Sequence, residues 1–118
     1  MRDFKRYEVW QKSHKLTLHI FEVTKSFPSE EKFRIISQMQ RASYSVPSNF
    51  AEGCGRSSDQ DFNRFIQMSL GSAHELEYFV ILATDLGFIE ETKSSLLLEE
   101  INMVKKQLFS LSQKLKKL

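Results

Sequence analysis

The stretch RASYSVPSNFAEGCGR, residues 41–56, carries a proline at 47, glycines at 53 and 55, and the chain's single cysteine, Cys54, between them. Two readings compete for it. Either Gly53-Cys54-Gly55 is a loop that cradles a phosphate, or the stretch is a helix that tolerates its proline. A dinucleotide loop needs a third glycine where this chain has Ser58, and a strand leading in. A Walker-type phosphate loop needs Gly-Lys-Ser/Thr, which the chain lacks. Upstream, Ile35, Met39, Ala42, Val46 and Phe50 follow steps of four and three, so one apolar face crosses Pro47 without losing phase. The stretch therefore reads as the end of a helix closed by its glycines. Pro47 leaves the carbonyl of Ser43 without its helical donor, at a cost of ~3 kcal/mol, and a bend there would fit the helix to a curved neighbour.

The same rhythm recurs on either side. Val9, Ser13, Leu16, Ile20, Val23 and Phe27 mark a first helix, stopped by Phe27-Pro28 because the residue before proline is pushed out of the α region. Ser29 is placed to cap the second helix, with Glu30 and Glu31 in its first turn. Ser58 with Asp61 forms an approximate capping box for a third helix, in which Phe62, Ile66, Ser69, Ala73, Leu76, Val80 and Ala83 keep the period until Gly87. Its small stretch Ser69-Leu70-Gly71-Ser72-Ala73 predicts a tight crossing against a neighbouring helix. Leu97, Ile101, Val104, Leu108, Leu111, Leu115 and Leu118 form a regular a/d stripe in a fourth. No strand alternation, repeat or linker interrupts the pattern. The expectation is an all-α, up-down antiparallel four-helix bundle with helices at about 8–27, 30–54, 58–86 and 91–117, forming one domain over 1–118.

With 118 residues the chain can bury one core. One cysteine excludes an internal disulfide and fits a reducing compartment, and no apolar run approaches the ~20 residues of a membrane span. A signal peptide's apolar region is also missing from the first residues, so a cytoplasmic location is expected. Net charge is only +2, but its distribution is uneven. Residues 1–25 hold six Lys/Arg against three acids, 101–118 hold five Lys and no acid, and 26–100 hold six bases against twelve acids. Basic ends of this kind suit nucleic acid or an acidic partner; lysines in a last helical turn also simply complement the helix dipole.

Nothing in the pattern builds a catalytic centre. His14, His19 and His74 lie on helices other than that of Cys54, which reads as a small buried thiol. A di-iron bundle needs paired Glu-x-x-His motifs, and the chain offers only a reversed His19-x-x-Glu22. No enzymatic activity, metal or cofactor is expected. The polar row Arg34, Gln38, Arg41, Ser45, Ser48 and Glu52 on the second helix reads either as a solvated face or as a contact surface. Asn49 flanks it, and Arg56 lies one turn beyond Glu52.

These residues carry a resemblance. Val-Trp-Gln-Lys at 9–12, Arg-Ala-x-x-Ser-x-Pro-x-Asn-x-Ala-Glu-Gly-x-Gly-Arg at 41–56 and Gly-Ser-x-x-Glu-Leu-Glu at 71–77 occur in the order found in the four-helix bundle proteins encoded in 23S rRNA intervening sequences. The chain resembles that family almost continuously over residues 7–89, and more loosely in the fourth helix. The resemblance implies a ring-like homopentamer. It extends to the accessory variability determinant of diversity-generating retroelements, a basic pentameric barrel that binds nucleic acid and its reverse transcriptase. No enzymatic activity is implied. The motif falls on Trp10, Gln11, Lys12, Arg41, Ser45, Pro47, Asn49, Glu52, Gly53, Gly55, Arg56, Gly71, Ser72, Glu75 and Glu77. The reading that follows is a nucleic-acid-binding oligomer with Lys12, Lys15, Arg41, Arg56, Arg64 or the C-terminal lysines in a positive ring, binding RNA or DNA. Trp10, Gln11, Ser45, Asn49 and Glu52 are then a polar contact or assembly surface. The alternative is a scaffold that docks a partner protein.

Overall fold

Side-chain hydrogen bonds between helices define the topology in the computed structural model, which describes residues 2–117. Helix α1 is Glu8–Thr24, α2 is Ser37–Cys54, α3 is Asp59–Asp85 and α4 is Glu91–Lys116. Thr17 and Thr24 of α1 bond to Ser43 and Gln40 of α2, so the two run antiparallel. Asn63, Glu77 and Thr84 of α3 meet Ser112, Lys105 and Ser94 of α4 in the same opposed order. Glu8 and His19 of α1 meet Gln107 and Glu100 of α4, which closes the square. The described residues form an up-down antiparallel four-helix bundle measuring 46 × 23 × 20 Å, and they contain no strand.

The apolar stripes of the sequence are the core. Leu16 and Ile20, Met39, Val46 and Phe50, Phe62, Ile66 and Leu76, and Ile101, Val104 and Leu108 are all buried between the four helices. Leu111 and Leu115 pack at its edge, and Leu118 lies outside the described residues. The third helix is capped as expected, Ser58 Oγ accepting from the Asp61 amide at 3.0 Å. It ends in a Schellman turn: Gly87 has φ +82°, its amide donates to Thr84 O, and the Phe88 amide donates to Ala83 O.

Two boundaries differ from expectation. α1 ends at Thr24, three residues early, because the amides of Lys25, Ser26 and Phe27 reach back three residues and tighten the last turn. The second helix begins at Ser37 rather than near residue 30. A 3₁₀ turn at Ser29–Glu31 and a wide π-type turn at Lys32–Ile36 precede it, and Arg34 departs from helical geometry at φ −119°, ψ −112°. Pro28, not Ser29, stands at the cap position of the 3₁₀ turn, and it supplies no side-chain capping bond. The wide turn keeps Ile35 in the core while Phe33 projects outward.

Within α2, helix continues through Pro47. The Ser43 carbonyl that Pro47 deprives of its donor accepts from Thr17 Oγ1 at 3.0 Å, across the α1–α2 contact. Ser69 Oγ of α3 donates to the next turn's Val46 carbonyl at 2.9 Å. A buried carbonyl without a partner costs ~1–3 kcal/mol, so Thr17 offsets much of the proline's penalty. Downstream, Gly53 is where α2 and α3 touch. A Cβ there would stand 2.6 Å from Phe65 Cβ and 3.2 Å from Phe62 Cδ1. Neither Gly53 nor Gly55 has a positive φ among the described residues, so close approach, not backbone conformation, explains the glycine at 53. Gly71 is the reverse case. It is exposed and a Cβ would meet nothing within 4 Å, so the crossing expected there does not involve it; Ser69 and Ala73 face the core instead.

Candidate nucleic-acid interface

An even number of helices returns the chain to the end where it began. The N-terminal segment, the α2–α3 turn and the end of α4 therefore gather at one pole of the bundle. Arg2, Lys5, Arg6, Arg56, Arg64, Lys114, Lys116 and Lys117 are there, against Asp3, Glu8, Glu52, Asp59 and Asp61. The other pole holds Lys25, Lys32, Arg34 and Lys93 against Glu22, Glu30, Glu31, Asp85, Glu90 and Glu91. Basic ends and acidic centre in sequence have become a basic and an acidic end in space.

The N-terminal segment is strapped onto this pole. Arg2 pairs with Asp59, donates to the Arg56 carbonyl at 2.9 Å, and lies 4.3 Å over the Phe62 ring. Tyr7 packs edge-on to Phe50, with ring centroids 5.2 Å apart, and Phe4 to Trp10 at 5.0 Å. Beneath the strap, burial pushes the Cys54 thiol up to about 11, an effect that Arg2 partly opposes. Such a thiol is protonated near neutrality and is a poor nucleophile. Glu8 sits below the usual carboxylate range, held there by hydrogen bonds from Gln107 and Lys12 and by the charge of Lys12.

The five cations singled out by the sequence do not converge. Arg56 and Arg64 flank the Phe65 ring from 4.7 and 4.6 Å, but both are occupied by acids: Arg56 with Glu52 at 3.2 Å and Asp61 at 3.7 Å, Arg64 with Asp61 at 3.0 Å. Lys12 pairs with Glu8 at 3.2 Å and, with Lys15, Glu100 and Met103, lines a 260 Å³ groove between α1 and α4. Arg41 stands alone on the outside of α2, with no ion pair among the described residues. The polar set is likewise divided. Trp10 stacks on His14 with centroids 5.2 Å apart, Gln11 donates to the Lys5 carbonyl at 2.8 Å, and Asn49 donates to the Ser45 carbonyl of its own helix. Ser45, Asn49 and Glu52 face the α3 side of α2, away from Trp10 and Gln11.

The cations that do gather are Lys5, Arg6, Lys114, Lys116 and Lys117, none ion-paired among the described residues. The signal for them was helix parity combined with the terminal charge runs. Among the described residues, no group of three or more His, Cys, Asp or Glu side chains is placed to hold a metal ion, and no helix is long and apolar enough to cross a membrane.

With this geometry in hand, the comparisons with known proteins are specific. A profile of the 23S rRNA-intervening sequence proteins matches residues 5–110. The chain belongs to that family. A crystal structure of a protein of unknown function from the S23 ribosomal protein family of Bacteroides thetaiotaomicron VPI-5482 superposes with a TM-score of 0.80 at 21% identity, covering 88% of this chain and 97% of that one. At that identity the likeness concerns the fold. No curated protein matches the chain. In this 23S rRNA-intervening sequence protein the stretch 41–56 forms most of α2 and its C-terminal turn, where Gly53 lets α2 and α3 touch and Glu52 and Arg56 pair.

Proposed function

We propose that this family member is a non-enzymatic protein that assembles into a pentameric ring and binds nucleic acid through its basic pole. The observation that carries the reading is the excess of cations at one end, where Lys5, Arg6, Lys114, Lys116 and Lys117 are unpaired among the described residues, while acids outnumber bases at the other. Side-by-side copies with parallel axes would present five such clusters on one rim. Phosphate contacts would then dominate affinity, with little sequence preference. Arg56 and Arg64 contribute less than their sequence position suggests, because acids already hold them. Their role is to order the pole.

The test is a fluorescence-anisotropy titration with structured RNA and with duplex DNA, each at low and moderate salt. Binding should weaken steeply with salt and be lost in a Lys114→Ala, Lys116→Ala, Lys117→Ala triple variant. No binding at low salt contradicts the proposal. A protein-docking scaffold is the second reading, favoured by the α1–α4 side, where Leu96 and Met103 stand 56% and 49% exposed beside Lys15 and Lys93. It predicts a partner that co-purifies after nuclease treatment and in moderate salt.

A further inference from the structure

Two sides of the bundle carry apolar surface that the fold itself does not use. Along α1, Gln11, His14, Leu18, Phe21 and Lys25 follow outward-facing three-four steps, and along α2, Ser37, Arg41, Tyr44 and Ser48 do the same. The Thr17–Ser43 hydrogen bond sets these rows side by side. Leu18 is 55% exposed and Tyr44 48%, and neither row contains an acid. On α3, diagonally across the square from α1, the outward row is Met68, Gly71, Glu75 and Tyr78, with Met68 44% and Tyr78 57% exposed. Its charge is Glu75. Neither Glu75 nor Arg41 has an ion-pair partner among the described residues.

Register ties the two sides together. Ser69 Oγ donates to the Val46 carbonyl, which sets residue 69 level with 46. Counting in opposite directions puts Gly71 level with Tyr44, and Glu75 within one residue of the level of Arg41. Copies arranged around an axis parallel to the helices keep every residue at its height.

We infer that the α1–α2 face of one copy docks on the α3 face of the next, with Tyr44 and Leu18 closing on the notch at Gly71 and Arg41 meeting Glu75. This rests on the oligomer proposed above and names its contact. The two faces differ, so the contact is heterologous, and head-to-tail repetition closes a ring. It accounts for a glycine in mid-helix that nothing inside the chain requires, and for apolar side chains on both rows. It also assigns Arg41 to a neighbouring subunit rather than to a phosphate.

The experiment is the solution mass of the full-length protein, by light scattering, for wild type, Gly71→Arg, Arg41→Glu, Glu75→Arg and the Arg41→Glu/Glu75→Arg double variant. All substituted positions are exposed, and circular dichroism with a cooperative melt confirms that each variant folds. The expected result is an oligomeric wild type, single variants at the mass of one chain, and recovery of the oligomer in the charge-reversed double. A wild type at the mass of one chain overturns both this contact and the ring. An oligomeric wild type whose single variants stay assembled, or whose double variant fails to recover, overturns the contact alone.

Discussion

Gly53 and Gly71 sit in adjacent helices, yet their surroundings are opposite. At Gly53 the α2 and α3 backbones come so close that a methyl group would collide with Phe65 and Phe62; at Gly71 a methyl group would stand in open space. Each glycine costs its helix roughly 1 kcal/mol relative to alanine. At 53 the cost is offset inside the subunit by the packing of two long helices. At 71 no such compensation exists within the chain, and the contact proposed between copies supplies one. The difference separates a residue that makes the fold from one that only the proposed contact between copies explains.

Substitutions sharpen this contrast, beginning with the largest effect. Gly53→Ala should destabilise the protein by about 3 kcal/mol, since α2 and α3 must separate or Phe65 must move. Urea denaturation would show a lower midpoint with an unchanged slope; a midpoint equal to wild type would show that the crossing is loose. Thr17→Val should cost about 2 kcal/mol by stranding the Ser43 carbonyl. Adding Pro47→Ala, which restores a backbone donor to that carbonyl, should recover part of the loss, a coupling readable in a double-mutant cycle.

Gly71→Ala should act in the opposite direction. Measured in the Arg41→Glu background, where association does not contribute, it should raise stability by up to about 1 kcal/mol. A loss of stability there would mean that residue 71 is packed within its own subunit. The smallest effect concerns Cys54, the neighbour of Gly53. With its thiol pushed up to about 11, Cys54 should resist alkylation at pH 8 in wild type and in Gly71→Ala, but react faster in Gly53→Ala. Because the folded value is raised, the thiol's contribution to stability is fully present below about pH 9 and declines as pH rises through about 11.

Much of the fold was legible because periodicity reports burial directly. The apolar positions named in the four stripes, from Val9 to Leu108, are in the core, and the rhythm carried α2 correctly across Pro47. Its partner could not be read, because the Thr17–Ser43 bond joins residues far apart in sequence. The start of α2 was missed for a local reason: Ser-Glu-Glu has the chemistry of a helix N-terminus, but the backbone at Arg34 breaks the hydrogen-bond ladder before it can join residues 30–36 to the rest. The candidate site was less legible. Arg56 and Arg64 looked available because sequence alone did not show Asp61 between them; the Glu52–Arg56 pair, one turn apart, is the one the spacing offered. The small residues at 69–73 read as one tight crossing that includes Gly71; Ser69 and Ala73 do face the core, but Gly71, between them, points out of the bundle, because composition does not tell which face of the helix a small residue is on.

The central claim is that the outward faces of this bundle are made for other copies of itself. Sedimentation equilibrium of the wild-type protein across micromolar concentrations tests it most directly. The account predicts a single species of about five times the 13.8 kDa of one chain. A stable species of 13.8 kDa throughout that range would contradict it.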